Sequence, residues 1–235
     1  MIAAIHQPNF FPWAGFFRKV ALADVFVFLD AVPYPRTSRG TWINRSRLLC
    51  NGAATWFTCP VAAGSGGRPL HEVRMAPGVD WRRKLLGTLH HHYGRHPYAG
   101  EYLPKVQELI VHPLERLAEF NERCIRTMAG WLGLDTHFVR QSEMQDPDIF
   151  LFKGSARLAA ICQELDADVY LAGDGSGDYE DEHAYARMGI TLKYSNFKEL
   201  PYTQKGSGTF VAGLSMLDAL FNLGPELLSC LELDR

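Results

Sequence analysis

The sequence predicts an α/β fold: a mostly parallel sheet flanked by helices, with a Rossmann-like or HUP-like start and a helical insertion. Three observations support this prediction. A strand, a turn, a helix and a second strand follow one another within residues 1–30, which is the βαβ unit of a parallel sheet. Apolar residues recur at helical spacing over residues 80–133, and strands then alternate with helices again as far as residue 221.

The opening βαβ unit, residues 1–30, consists of a strand, a turn, a helix and a second strand, each of which has recognisable boundary residues. Met1–Ile5 is a short apolar run, as expected of a buried strand, and it leads into the turn-rich segment His6–Trp13. A helix is predicted over Ala14–Ala23. The next run, Asp24–Asp30, is rich in β-branched and aromatic residues between two aspartates, which indicates a strand buried on both faces.

The middle of the chain departs from this alternation. Residues 31–49 are polar and rich in arginine, and no strand is predicted there. Thr55–Val61 and Leu70–Met75, separated by the turn Gly64–Gly67, are predicted to form a hairpin-like insertion. The later predicted elements are a helix over Trp81–Tyr93, two helices within Tyr102–Leu132 divided near His112 and Pro113, a strand over Thr136–Arg140, a helix over Gly154–Leu165, strands over Asp168–Ala172 and Thr191–Phe197, and a closing helix over Leu214–Phe221.

The composition is that of an ordinary globular protein. Of 235 residues, 47% are hydrophobic and 21% charged, and we expect one domain over residues 1–235 with its helical middle at 80–133. The net charge of −2 leaves no basic excess for a nucleic-acid partner. Polar residues interrupt the apolar start, unlike a signal peptide or membrane span, so a cytoplasmic location is expected. Five cysteines without a Cys-x-x-Cys pair suggest neither a disulfide framework nor a zinc site.

Polar side chains follow the first two predicted strands. His6, Gln7 and Asn9 come directly after the first strand, and Asp30 ends the second. Open α/β sheets bind their ligands beyond the carboxyl ends of the strands, so these residues predict a site. The alternative is that they bond to backbone groups in turns, the first of which is fixed by prolines.

Two further segments carry candidate binding residues. Four arginines, Arg36, Arg39, Arg45 and Arg47, lie near Asn44 and suit an oxyanion such as a phosphate or carboxylate; an ordinary solvated loop is the alternative.

The glycine-spaced loop Gly173–Asp181 contains Asp174 and Tyr179 among several acidic residues. It suits a substrate amine or hydroxyl, a Mg²⁺ or Ca²⁺ ion, or simply solvent. The run His90–His92 is better explained as the end of a helix than as a zinc site, since adjacent helical positions point in different directions. No P-loop and no Gly-x-Ser-x-Gly elbow is present, and no cofactor or metal is predicted.

The chain resembles the WbqC-like protein family over residues 5–224. The matching stretches are IHQPNFFPWAGFF, ADVFVFLD, TWINRSRL, the Tyr93–Tyr102 segment, RLAAICQELDADVYLAG followed by Tyr179, PYTQ and LSMLDALFNLG. The resemblance implies a role in surface-polysaccharide or natural-product biosynthesis, transferring an acyl or aminoacyl group to an amine. It implies site roles for His6, Gln7, Asn9, Asp30, Asn44, Arg45, Tyr179, Tyr202 and Gln204.

A second similarity bears on nucleotide use. The opening unit is similar to the start of the nucleotide-binding domains of pantothenate synthetases and class I aminoacyl-tRNA synthetases. Their turn carries a His-x-Gly-His signature, whereas Trp13–Phe16 here lacks both histidines. Adenylation by that mechanism is therefore disfavoured.

These observations lead to a hypothesis of amide-forming transfer. His6 is the expected general base, with Asp30 fixing its tautomer. Gln7, Asn9 and Asn44 are expected to donate hydrogen bonds to the developing oxyanion, and Arg45 to hold an anionic group of the donor. The remaining substrate-binding candidates are Asp174, Tyr179, Tyr202 and Gln204.

The expected partners are a small-molecule or sugar amine and, as a candidate donor, the thioester of an acyl or aminoacyl carrier protein. Two alternatives remain at this stage. One is an enzyme that binds a nucleotide or nucleotide-sugar at the sheet edge through the arginines. The other is a non-catalytic module that binds a carrier protein.

Overall fold

The structure, a computed structural model, describes residues 1–37, 41–176, 180–231 and 233. The strands in these residues are β1 (Ile2–His6), β2 (Val25–Phe28), β3 (Arg45–Cys50), β4 (Ala53–Thr58), β5 (His137–Arg140), β6 (Val169–Ala172) and β7 (Thr191–Tyr194). Five of them form a parallel sheet in the order β5-β2-β1-β6-β7, while β3 and β4 form a separate antiparallel pair. The predicted α/β fold with a parallel sheet is confirmed.

Helices cover both faces of the sheet. In the described residues they are α1 (Ala14–Leu22), α2 (Trp81–Tyr93), α3 (Ala99–Val111), α4 (Leu117–Trp131), α5 (Asp148–Leu151), α6 (Gly154–Glu164), α7 (Glu182–Ala186) and α8 (Met216–Leu223). Because successive strand residues point to opposite faces, Phe26 and Phe28 join the core that contains α1, whereas Val25 and Val27 join the core that contains α6. Burial on both faces explains why β2 has no polar alternation.

The helical insertion is confirmed. Helix α2 has the predicted bounds, because Asp80 accepts a hydrogen bond from the Arg83 amide at its start and Gly94 follows its last residue. Helices α3 and α4 divide between Val111 and Leu117, near the predicted break.

The predicted hairpin is wrong in its pairing: its first segment overlaps strand β4, but its second segment does not form the partner strand. Strand β4 pairs with β3, in the segment predicted to contain no strand, while Leu70–Glu72 forms a 3₁₀ turn. Val61 and Met75 make only an isolated bridge. Strand β3 escaped prediction because Arg45 and Arg47 occupy its less buried positions and make the segment look like a polar loop.

The chain changes direction across the sheet between β1 and β6. From β1 it crosses through α1 to β2 on one side, and from β6 it crosses through α7 to β7 on the other. Taken in chain order, the sheet strands follow 3-2-1-4-5, an order in which ligands bind where the strand order reverses. The carboxyl ends of β1 and β6 are therefore the expected place for a site. Within the described residues, no helix combines the length and the apolar character needed to span a bilayer.

Candidate functional site

A cavity of about 430 Å³ lies at the carboxyl ends of β1, β6 and β7. We call it the crevice. Its position coincides with the reversal of strand order described above. The residues that line it are Ile5, His6, Asn9, Trp13, Gly15, Phe16, Lys19, Trp42, Tyr170, Gly173, Asp174, Gly175, Ser195 and Phe197. Three of the predicted site residues, His6, Asn9 and Asp174, are thus brought to one cavity.

Aromatic rings form much of the crevice wall. Trp13 and Phe197 meet edge to face with their ring centroids 5.5 Å apart. A glycine at position 15 is needed for this contact, because a Cβ atom there would lie 2.6 Å from the Trp13 ring and 2.8 Å from the Phe197 ring. The crevice therefore offers flat apolar surfaces, which suit the ring or acyl part of a small molecule.

His6 ends β1 and is held in one orientation by its surroundings. Its Nδ1 atom lies 2.9 Å from the Gln7 carbonyl oxygen, and its ring packs edge to face against Phe16. Burial, with a smaller effect of the Lys19 charge, lowers the pKa of His6 to about 4. The imidazole is therefore neutral at pH 7, and because a carbonyl only accepts hydrogen bonds, the proton resides on Nδ1 and Nε2 carries the lone pair.

Lys19 lines the crevice from α1, although sequence reasoning did not select it. It is 3% exposed, and its Nζ atom donates to the Ile5 carbonyl oxygen at 3.0 Å. Burial lowers its pKa to about 8, against the opposing effects of Glu180 and Asp174. The signal in the sequence is its place on the apolar stripe of α1, three residues after Phe16 and next to Val20.

Asn9 and Asp174 differ in how their polar atoms are used. Asn9 is 6% exposed, and within the described part of the chain its side chain has no hydrogen-bond partner. The Asp174 carboxylate accepts from Ser195 Oγ at 3.0 Å and from the backbone amides of Asn196 and Phe197. Asp174 therefore joins the loop after β6 to the end of β7, whereas the Asn9 side chain makes no hydrogen bond within the described residues.

The expected contact between Asp30 and His6 is not formed. The two carboxylate oxygens of Asp30 accept from the backbone amide of Ser142 at 2.9 Å and from its hydroxyl at 2.6 Å. The reason is the sheet register: His6 pairs with Phe28, so Asp30 lies beyond the end of β1 and meets the turn that follows β5. The Gln7 carbonyl, and not Asp30, fixes the His6 ring, and the Gln7 side chain is not part of the crevice lining.

The hairpin residues also bond elsewhere. Asn44 Nδ2 donates to the Cys59 carbonyl oxygen at 2.9 Å, which joins the two sides of the hairpin. The Arg45 guanidinium lies 4.2 Å from the centre of the Trp56 ring, and Arg47 donates to the carbonyls of residues 212 and 213. Arg36 is exposed, and Arg39 lies outside the described residues. None of the described arginines of this segment lines the crevice.

Tyr202 and Gln204 belong to a second polar cluster, centred on the fully buried Asp218 of α8. The Tyr202 hydroxyl donates to Asp218 Oδ2 at 2.7 Å, and Gln204 Nε2 donates to the same atom at 3.2 Å. Tyr93 and Asn222 complete the cluster with bonds of 3.0 Å and 3.3 Å to the carboxylate. We call these residues the Asp218 cluster. None of its members lines the crevice.

The last predicted site residue, Tyr179, lies outside the described residues. In the part of the chain that the structure describes, no group of three or more histidine, cysteine, aspartate or glutamate side chains is arranged to hold a metal ion. His90–His92 form the end of α2, as expected.

Comparisons with known proteins agree with the resemblance seen in the sequence. The model of the WbqC-like protein family matches residues 7–230. A relative from Mycobacterium tuberculosis, named uncharacterized protein Rv1507c, is 26% identical over 226 residues, which cover 95% of this chain and 94% of the relative. No solved structure matches the chain.

Proposed function

The chain belongs to the WbqC-like protein family, and we propose that it transfers an acyl or aminoacyl group to the amine of a small molecule or sugar. The donor in this proposal is a thioester, carried by an acyl or aminoacyl carrier protein, and the setting is polysaccharide or natural-product biosynthesis in the cytoplasm. One observation carries the proposal. The crevice, which has the size of a small molecule and lies where the strand order reverses, is lined by the neutral imidazole of His6, whose Nε2 atom is unprotonated and can accept a proton.

The proposed step needs a base and a hydrogen-bond donor. The amine nitrogen attacks the thioester carbon, and His6 Nε2 takes the proton that this nitrogen loses. The C–N bond forms, the C–S bond breaks, and the departing thiolate takes the proton back from the imidazolium. Asn9 is positioned among the lining residues to donate to the transient oxyanion.

The geometry changes the roles expected from sequence. Asp30 and Asn44 are assigned to holding loops together, through Ser142 and Cys59 respectively. Arg45 is assigned to the hairpin, where it stacks on Trp56. Of the predicted oxyanion donors, Asn9 remains in the proposed mechanism.

The test is product formation with matched variants. The purified protein is incubated with carrier-bound acyl and aminoacyl thioesters and a panel of amino sugars and small amines, and amide products are identified by mass spectrometry. We expect turnover by the wild type, a loss of at least a hundredfold in His6→Asn, and no loss in His137→Asn, an exposed histidine at the start of β5. Wild-type turnover by His6→Asn would refute the mechanism.

A second candidate function is supported by the strand order alone. The 3-2-1-4-5 sheet is the order of dinucleotide-binding folds, and the crevice has aromatic surfaces on which a base can stack. Among the described residues that line the crevice there is no arginine to bind a phosphate, which argues against this candidate. Stabilisation by a nucleotide or nucleotide-sugar with Mg²⁺, amounting to about 2.7 kcal/mol at one hundred times the dissociation constant, would favour this candidate. Carrier-protein binding without turnover would favour a non-catalytic module.

A further inference from the structure

Lys19 is a buried cation that the proposed transfer step does not use. An ammonium group has three N–H donors. Within the described residues, Lys19 Nζ has one hydrogen-bond acceptor, the Ile5 carbonyl oxygen, and no ion-pair partner. The side chain is nevertheless 3% exposed and lines the crevice. A buried charge in this condition is costly, and proteins normally pair such charges.

The nearest carboxylates are committed to other groups. Asp174 accepts hydrogen bonds from Ser195 and from two backbone amides. Glu180 accepts from the hydroxyls of Ser155 and Tyr185. Both carboxylates attract Lys19 at longer range, but neither completes its hydrogen bonding. Lys19 therefore lines the crevice with donor capacity that these carboxylates do not fill.

We propose that Lys19 binds the carboxylate group of the substrate at the floor of the crevice. The inference rests on the proposed function only in taking the crevice as the substrate site. Trp13 and Phe197, which line the same crevice, contact the apolar part of the same molecule. The substrate class is a small carboxylic acid, or an acyl or amino compound that bears a free carboxylate.

The local charge favours a carboxylate over a phosphate. One ammonium can balance one negative charge, and Asp174 and Glu180 already place two carboxylates within electrostatic range of it. A phosphate dianion would add a second negative charge there without a second cation, because the described arginines are bonded or exposed elsewhere. A carboxylate monoanion balances the charge of the Lys19 ammonium and leaves no additional negative charge.

Carboxylate binding also changes the base. The Lys19 charge contributes to the low pKa of His6. A carboxylate placed on Lys19 offsets that charge, so the pKa of His6 rises toward its ordinary value and the imidazole becomes a stronger base. The substrate thereby prepares the group that deprotonates the attacking amine.

The binding test uses two probes of equal shape, phenylacetate and phenylacetamide, followed by tryptophan fluorescence. We expect phenylacetate to bind at least tenfold more tightly than the amide to wild-type protein. Lys19→Met is expected to abolish this preference, and Lys84→Met, the same change on an exposed face of α2, is expected to keep it. Equal affinity for the two probes, or a preference that survives Lys19→Met, would overturn the inference. Tighter binding of inorganic phosphate than of phenylacetate would overturn the carboxylate assignment.

A measurement on the unmutated protein covers the case in which Lys19→Met does not fold. The His6 ring is titrated by NMR with and without saturating phenylacetate, and we expect the bound form to titrate at a higher pH. An unchanged His6 titration would contradict the coupling. Carboxylate binding without amide formation would refute the transferase and leave the Lys19 site intact, so the two proposals fail separately.

Discussion

The crevice and the Asp218 cluster both contain buried polar side chains, yet they differ in how completely those side chains are bonded. Asp218 accepts hydrogen bonds from four side chains of Tyr93, Tyr202, Gln204 and Asn222. Lys19, equally buried, has one acceptor in the described residues, and Asn9 has none. A satisfied cluster stabilises the fold, whereas unsatisfied donors around a cavity indicate a place for a ligand.

The two regions also serve different parts of the chain. The Tyr93 hydroxyl accepts from the Leu49 amide while donating to Asp218, so the cluster joins β3, α2 and α8. The crevice instead contains residues from strand ends, from the turn after β1 and from α1. Changes in the Asp218 cluster are therefore expected to lower stability, whereas changes in the crevice are expected to alter binding and the pH dependence of stability.

The largest expected effect is in the Asp218 cluster. Asp218→Ala removes the acceptor of two tyrosine hydroxyls and two side-chain amides, and we expect it to lower the free energy of unfolding by about 3–4 kcal/mol. Urea unfolding measures this, and Asp218→Asn, which retains one acceptor oxygen, serves as the milder control. A loss below about 1 kcal/mol would show that the cluster contributes little, since a single net hydrogen bond is worth that much.

The next effect is a pH dependence caused by His6. Its pKa is about 4 in the folded chain and 6.5 when unperturbed, so the unfolded state binds more protons between these values. Stability present above pH 6.5 is lost as the pH falls toward 4, by on the order of 3 kcal/mol. Glu122, whose pKa burial raises to about 7, produces the opposite trend above pH 4.5.

The His6 effect is therefore measured as the difference between wild type and His6→Gln in urea unfolding from pH 7 to pH 4. The wild type should lose stability relative to the variant across this range. Parallel pH profiles would mean that His6 is not buried in its neutral form.

A smaller effect, of opposite sign, is expected at Lys19. Lys19→Met removes a buried charge and one hydrogen bond, and we expect a gain of about 1 kcal/mol in unfolding free energy at pH 7. The pKa of Lys19 is about 8 when folded and 10.5 when unperturbed. As the pH rises through this range the folded wild type loses its buried charge, so the difference in unfolding free energy between Lys19→Met and the wild type becomes smaller. A destabilised variant would indicate that the ammonium is satisfied within the protein.

The smallest effect is expected at Arg45. Arg45→Met removes its stacking on the half-exposed Trp56, and we expect a loss of about 0.5–1 kcal/mol of stability with unchanged affinity for phenylacetate. Thermal unfolding and fluorescence titration measure the two quantities. A loss of phenylacetate binding in Arg45→Met would instead indicate that Arg45 contributes to substrate binding.

Much of the fold could be predicted because its signals are local. The burial of β2 and the boundary residues Asp80 and Gly94 of α2 are visible in the sequence. Strand β3 was missed because its outward arginines are balanced by a tryptophan on the partner strand, a tertiary contact that the sequence does not display. The pairing of β4 was wrong for the same reason.

The sequence predicted where the crevice lies better than it predicted which residues line it. The rule for open sheets predicted that His6 and Asn9 lie at the carboxyl end of β1, and both line the crevice there, since the rule depends only on strand order. Asp30, Tyr202 and Gln204 resemble site residues in the sequence, but their partners Ser142 and Asp218 lie far along the chain. Lys19 was missed because a lysine in an amphipathic helix is ordinarily exposed, and its burial depends on packing against the end of β1.

The position of β1 in the sheet has a consequence for folding during synthesis. One edge of β1 pairs with the nearby β2, but the other pairs with β6, where Ile2 lies opposite Val169. Contacts this distant in sequence form slowly, and an unpaired strand edge is a template for association with other chains. Strand β1 is synthesised well before β6, so its second edge stays unpaired during that interval, and chaperone dependence during translation should concentrate at that edge.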